Sequence, residues 1–155
     1  EHPVMILIPG NQVTYREADK DFNRLNHFKV EEAGEKVAIL ALGDFYQRGE
    51  QLSAKIKAEL GFTPTLINPR FASGIDKELL ESLSERHQMV ITMEDGILSG
   101  GFGEKIASFY GSSDMKVKNY GLDKKFYDRY DPNELLKEVG MTPVQIIADI
   151  CNQIK

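Results

Sequence analysis

The stretch 90–106 holds the residues of this sequence that are best suited to chemistry. A short apolar run ends in two adjacent carboxylates, and a loop with three glycines follows: Glu94, Asp95, Gly100, Gly101 and Gly103. A helix is predicted to begin near Gly103, so its first free backbone amides can attract an anion. Close packing of the loop on a sheet explains the same glycines. The dinucleotide pattern G-x-G-x-x-G and the Walker lysine are both missing from the sequence.

Glu94 and Asp95 follow directly after a predicted strand. Neighbouring residues of a strand point to opposite faces, so we expect the two acids not to share a site. In one interpretation, one acid faces solvent and the other caps the loop or pairs with a lysine. In the other, an acid orders the glycine loop or meets a neighbouring domain.

Arg70 follows another predicted strand, in the segment INPRF. An arginine at a strand end can bind a carboxylate or a phosphate with two parallel hydrogen bonds. We expect a structural ion pair with Glu94, on the end of a neighbouring strand. The candidates for anion binding or for an interface are therefore Arg70, Glu94, Asp95, Gly100, Gly101 and Gly103.

No complete catalytic site and no metal site is predicted. The three histidines, His2, His27 and His87, are far apart and lack metal-ligand spacing. His87 is predicted to end a helix. The single cysteine, Cys151, excludes an internal disulfide, favours a reducing cytoplasm and is predicted to be a buried structural thiol.

Strands alternate with helices along the chain. Apolar runs predict strands at 3–9, 36–42, 63–67, 89–93 and 115–120, and HFKVEE predicts an edge strand over His27–Glu32. The helices are predicted at 44–60 with Asp44 as N-cap and Gly61 as C-cap, from Asp76, at 103–110, at 133–139 and at 142–154 behind Thr142 and Pro143. Residues 119–131 are predicted to form an exposed loop. This alternation is typical of a largely parallel sheet with helices on both faces.

Length and charge narrow the function classes. The 155 residues suit about one domain, and 41% of them are hydrophobic. The net charge of −5 and the scattered lysines and arginines argue against nucleic-acid binding. No run of 18 apolar residues is present, so no membrane span is predicted.

Several landmarks, in order, resemble one known family. LINPRF with Asp76 five residues beyond is similar to a family motif V-x-N-x-R-F followed by K-P-L-D, with Ser73 and Gly74 in place of Lys and Pro. VITMEDGILSGGFG is similar to V-E-E-N-A-I-M-G-G-A-G, and the closing segment GLDKKF…ELLKEVGM also matches. The chain thus resembles the carboxyl-terminal domain of the 1-deoxy-D-xylulose-5-phosphate synthases, which are transketolase-like thiamine-diphosphate enzymes.

The resemblance implies an α/β fold: a three-layer α/β/α sandwich around a mainly parallel five-stranded sheet with one antiparallel edge strand. We assign that edge to His27–Glu32. Residues 1–26 are expected to be the end of a preceding pyrimidine-binding domain plus a linker, and 27–155 the carboxyl-terminal domain, so the chain is expected to be a fragment. The family carries two arginines near residue 7, and it uses one of them to bind substrate phosphate. In this sequence Leu7 takes the place of the first arginine, and the second arginine is missing beside Pro9.

The resemblance also implies a function for a longer parent protein. The parent would condense pyruvate with glyceraldehyde 3-phosphate in isoprenoid precursor synthesis, using thiamine diphosphate and Mg. The cofactor motif G-D-G…N is not in this sequence, so the fragment would bind no cofactor and serve as a scaffold facing a homodimer partner. The alternatives are a stand-alone module that binds a small anion or a protein, and the same domain of another transketolase-family enzyme.

Overall fold

The computed structural model describes residues 2–5 and 24–154. Within them, five strands form one sheet: β1 (Lys29–Glu32), β2 (Lys36–Ala41), β3 (Thr65–Asn68), β4 (His87–Ile97) and β5 (Lys116–Leu122). Five α-helices flank the sheet: α1 (Tyr46–Leu60), α2 (Lys77–Leu83), α3 (Phe102–Tyr110), α4 (Pro132–Glu138) and α5 (Pro143–Gln153).

The strand order is β1-β3-β2-β4-β5. Strands β3, β2, β4 and β5 are parallel, and β1 pairs with β3 in the antiparallel direction. The predicted antiparallel edge strand is therefore confirmed, although it begins at Lys29 and not at His27. The continuous apolar run of β2 is fully buried apart from its first residue because this strand lies in the middle of the sheet, covered on both faces.

Two apolar cores cover the two faces of the sheet. Alternate residues of β2 point to opposite faces, so Val37, Ile39 and Ala41 pack with α1, α4 and α5. Ala38 and Leu40 pack with α2 and α3 on the other side. This arrangement confirms the three-layer α/β/α sandwich.

Three of the predicted helix ends are found in the structure, each with the backbone or side-chain geometry of a helix cap. Gly61 closes α1 with a left-handed φ of 76°. Asp76 caps α2 by accepting the Leu79 amide. Thr142 caps α5 in a capping box with Gln145, and proline follows at the first helical position.

Other local predictions are wrong. Asp44 does not cap α1, because a 3-10 turn over Gly43–Phe45 precedes that helix and makes Phe45 its N-cap residue. His87 begins β4 and does not end a helix, since α2 stops at Leu83.

Two further predictions fail near the end of the chain. Cys151 is exposed, because it lies within α5 but outside the buried face that Ile146, Ile147 and Ile150 form. The predicted loop 119–131 begins only after Leu122, because β5 continues beside the lengthened β4.

The amino-terminal prediction is only partly covered by the structure. Residues 2–5 have no regular secondary structure, and Val4 and Met5 are exposed. The rest of the predicted strand 3–9 and the linker up to residue 23 lie outside the described residues, so the domain boundary at residue 26 stays a prediction. No helix of the described residues is long and apolar enough to span a membrane.

Candidate functional site at the carboxyl edge of the sheet

Glu94 lies at the end of β4 with its carboxylate against the start of α3. The side chain is buried, and its two oxygens accept the amides of Phe102 and Gly103, each at 2.8 Å. A carboxylate here satisfies first-turn amides and interacts favourably with the helix dipole. The predicted anion-attracting amides are real, and an acid of the same chain is bonded to two of them.

The glycines of the loop allow this approach. A Cβ on Gly101 would lie 2.7 Å from Glu94 Oε2, and one on Gly103 would lie 2.6 Å from Thr92 Oγ1. Gly100 has a φ of 76°, and its amide donates to Glu104 Oε2 at 2.7 Å. Close approach of backbone to side chain therefore accounts for the glycine spacing, while external anion binding by the loop stays a prediction.

Asp95 takes the opposite orientation from Glu94. Its side chain is exposed, whereas that of Glu94 is buried. This difference follows from the alternation of side chains along a strand. Asp95 remains a candidate for contact with another domain.

Arg70 does not form the ion pair predicted with Glu94. Strand β2 lies between β3 and β4, so the ends of β3 and β4 are not neighbours. The Arg70 guanidinium instead donates from Nε and Nη2 to the His27 carbonyl oxygen, at 3.1 and 2.7 Å. The backbone of Arg70 is left-handed, with a φ of 61°, and its amide donates to Asn68 Oδ1.

Asp76 completes the arrangement beside Arg70. Its Oδ2 accepts the Phe28 amide at 2.9 Å and lies 2.9 Å from His27 Nδ1, while Oδ1 accepts the Leu79 amide. His27 and Phe28 were not predicted as site residues, because nothing local in the sequence shows that β1 starts beside the loop after β3.

Two further contacts join the parts of this edge. The rings of Phe28 and Phe102 lie 5.9 Å apart, and Lys105 Nζ donates to the Ala72 carbonyl at 2.8 Å. The start of α3, the loop after β3 and the start of β1 thus form one continuous surface. In open parallel sheets, ligands and partner domains meet the protein at this edge.

The residues of this edge do not fit a metal–diphosphate cofactor. Among residues 2–5 and 24–154, no three or more His, Cys, Asp or Glu side chains are placed to hold a metal ion. The two α3 amides best placed for a phosphate are bonded to Glu94. Arg70, Asp76 and Glu94 each bond to backbone groups of another loop or helix of the domain.

The chain is thus an open, mainly parallel α/β/α domain. Polar side chains at the carboxyl ends of its strands bond to the domain's own backbone. The model of the transketolase C-terminal domain family matches residues 26–146. The chain belongs to that family.

Curated relatives agree with the family resemblance. The 1-deoxy-D-xylulose-5-phosphate synthase of Shouchella clausii is 32% identical over 98% of this chain, which covers 25% of the relative. The synthase of Clostridium perfringens is 38% identical over 73% of the chain and 18% of the relative. This chain therefore spans about a quarter or less of the relatives it matches.

Solved structures agree with the fold. A split-gene transketolase, described as an "inactive beta4 tetramer", has a TM-score of 0.72 at 23% identity. The match covers 83% of this chain and 42% of the transketolase chain. The transketolase of Campylobacter jejuni has a TM-score of 0.54 at 18% identity, over 82% of this chain and 18% of its own.

Proposed function

We propose that this chain is the carboxyl-terminal domain of a 1-deoxy-D-xylulose-5-phosphate synthase. The parent is a transferase that condenses pyruvate with glyceraldehyde 3-phosphate in isoprenoid precursor synthesis. It works as a homodimer in the cytoplasm and binds thiamine diphosphate and Mg through parts of the polypeptide outside this chain. The relatives named as this synthase support the assignment, with 30% identity or more over most of the chain.

Within the parent, this domain is a scaffold that carries no catalytic group. One observation supports this role. Arg70, Asp76 and Glu94, which match the family motifs, all bind backbone groups of this same domain. Side chains engaged in this way orient loops and helices toward a neighbouring domain. The bonding of Glu94 to the α3 amides also favours the scaffold role over a stand-alone anion-binding module.

Activity of the isolated chain and of a chimera tests the proposal. The purified chain, mixed with thiamine diphosphate, Mg²⁺, pyruvate and glyceraldehyde 3-phosphate, should form no product. A Shouchella clausii synthase in which residues 27–155 of this chain replace the matching segment keeps its own arginines upstream and should retain turnover, whereas the same synthase lacking that segment should lose it. Turnover by the isolated chain, or a chimera that binds thiamine diphosphate and is inactive, would contradict the proposal.

A further inference from the structure

The two residues just before β1, His27 and Phe28, are held by side chains from the loop after β3. Arg70 donates two hydrogen bonds to the His27 carbonyl, and Asp76 binds both the Phe28 amide and the His27 ring. Asp76 is buried, so its bond with the Phe28 amide is shielded from water. We name the set His27, Phe28, Arg70 and Asp76 the β1 latch.

Strand β1 is held in addition by its pairing with β3 and by Glu32, which accepts the Ser53 hydroxyl at 3.2 Å and lies 4.0 Å from Lys57 Nζ, both on α1. It is four residues long, pairs with β3 alone among the described strands, and shifts register between Val30 and Glu32. Val30 is 40% exposed, and Glu31 and Glu32 are exposed as well. Between residues 27 and 32, Phe28 is the one buried side chain. The buried side-chain contacts of this segment are therefore at the latch, whereas those of Glu32 with α1 are partly exposed.

The other end of β1 is anchored separately. The Gly34 amide donates to Thr65 Oγ1 at 2.8 Å, and the Glu35 amide donates to the Thr63 carbonyl at 2.9 Å. A Cβ on Gly34 would collide with that same carbonyl, so the backbone lies directly against the residues that precede β3. These contacts make 34–35 a fixed point about which β1 can turn.

We infer that β1 is a detachable edge strand, which opens about residues 34–35 when the latch releases, while the four parallel strands stay folded. Segments with few buried apolar contacts open at a lower free energy than the core of a domain. Opening uncovers the outer edge of β3 and frees the chain that enters at 24–26. This property goes beyond the scaffold role.

Amide hydrogen exchange on the full chain, with Asp76→Asn as the variant, tests the inference. Asparagine caps a helix as well as aspartate, so the bond to the Leu79 amide is kept. Its NH₂ group then faces the Phe28 N–H, donor against donor, and the latch is broken. We expect residues 28–32 to exchange about tenfold faster or more, the factor that corresponds to a lost hydrogen bond to a charged group. Residues 37–41 and 89–93 should keep their wild-type rates.

Asp131→Asn is the matched control, because Asp131 caps α4 by accepting two amides and does not contact β1. It should leave residues 28–32 unchanged. Arg70→Gly is a second variant that removes the guanidinium and suits the left-handed backbone, so it decides the question if Asp76→Asn does not fold. Equal acceleration in β1, β2 and β4 would overturn the inference, because β1 would then open only with the whole sheet. Unchanged exchange at 28–32 in the folded variants would also overturn it.

Discussion

The glycine loop has the amide geometry of an anion site, and at the residue scale the anion is Glu94. Each of its oxygens accepts one backbone amide at the start of α3. Asp76 works in the same manner: one oxygen accepts the Leu79 amide of α2, and the other accepts the Phe28 amide just before β1. Glu94, which the sequence offers as a binding group, and Asp76, which it offers as the start of a helix, therefore both bond to the backbone of the domain that carries them.

Glu94→Gln should lower the free energy of unfolding by about 1–3 kcal/mol, because a buried amide is left facing an NH₂ group. Urea denaturation of the purified chain measures this. Glu104→Gln is the control from the same helix, since Glu104 accepts one exposed amide, that of Gly100, and should cost much less. Equal losses in the two variants would show that the buried bonds of Glu94 contribute nothing special.

At the element scale, α3 lies close on β4 and β5. The Thr92 hydroxyl donates to Asn119 Oδ1 at 2.8 Å directly beneath Gly103. A side chain at residue 103 would push the helix off this pair. The small residue therefore sets the distance between the helix and the sheet.

Gly103→Ala should destabilise the chain by about 1–3 kcal/mol through overpacking, although alanine is the better helix former. Thermal and urea unfolding measure the loss. Gly111→Ala, at the end of the same helix, is the control: its Cβ meets nothing nearer than 3.4 Å, and its φ of −56° suits alanine. A Gly103→Ala variant as stable as Gly111→Ala would disprove the close packing.

At the scale of the whole molecule, His87 joins several elements at the edge opposite the candidate site. Its Nδ1 lies 2.9 Å from the Leu83 carbonyl at the end of α2, and its Nε2 lies 2.8 Å from Thr65 Oγ1 on β3. In the neutral ring the carbonyl requires the proton on Nδ1, so Nε2 accepts from the Thr65 hydroxyl, which in turn accepts the Gly34 amide. The neutral imidazole thus satisfies every group of this network.

Burial lowers the pKa of His87 below its usual value of 6.5, with Arg86 adding to the decrease, and the hydrogen bond to Leu83 and the charge of Glu35 opposing it. The unfolded chain therefore takes up the proton first as pH falls. The contribution of His87 to stability is complete above about pH 6.5 and is lost as pH falls through the lower, folded-state pKa. Denaturant titrations between pH 8 and about pH 5 should show this decrease, and His87→Gln should reduce its slope. An unchanged slope in His87→Gln would contradict it.

Much of the architecture could be predicted from local sequence. The apolar run of β2 indicates a central strand, the alternation in HFKVEE indicates an edge, and Gly61, Asp76 and Thr142 mark helix ends by their own backbone chemistry. The family resemblance supplied the antiparallel direction of β1 and the three layers. The strand types and helix ends depend on residues near each other in the chain, so a linear sequence pattern contains them.

Only the tertiary structure decided which groups meet. The strand order places β2 between the ends that carry Arg70 and Glu94, so the predicted ion pair cannot form and each side chain binds backbone groups instead. The contact of Asp76 with Phe28 spans 48 residues of chain, and no local pattern contains such a separation. Sheet order follows from the packing of both faces together, which depends on all elements at once. The sequence by itself thus determined the elements and the family, and the packed sheet determined that the polar residues of its carboxyl edge hold this domain together.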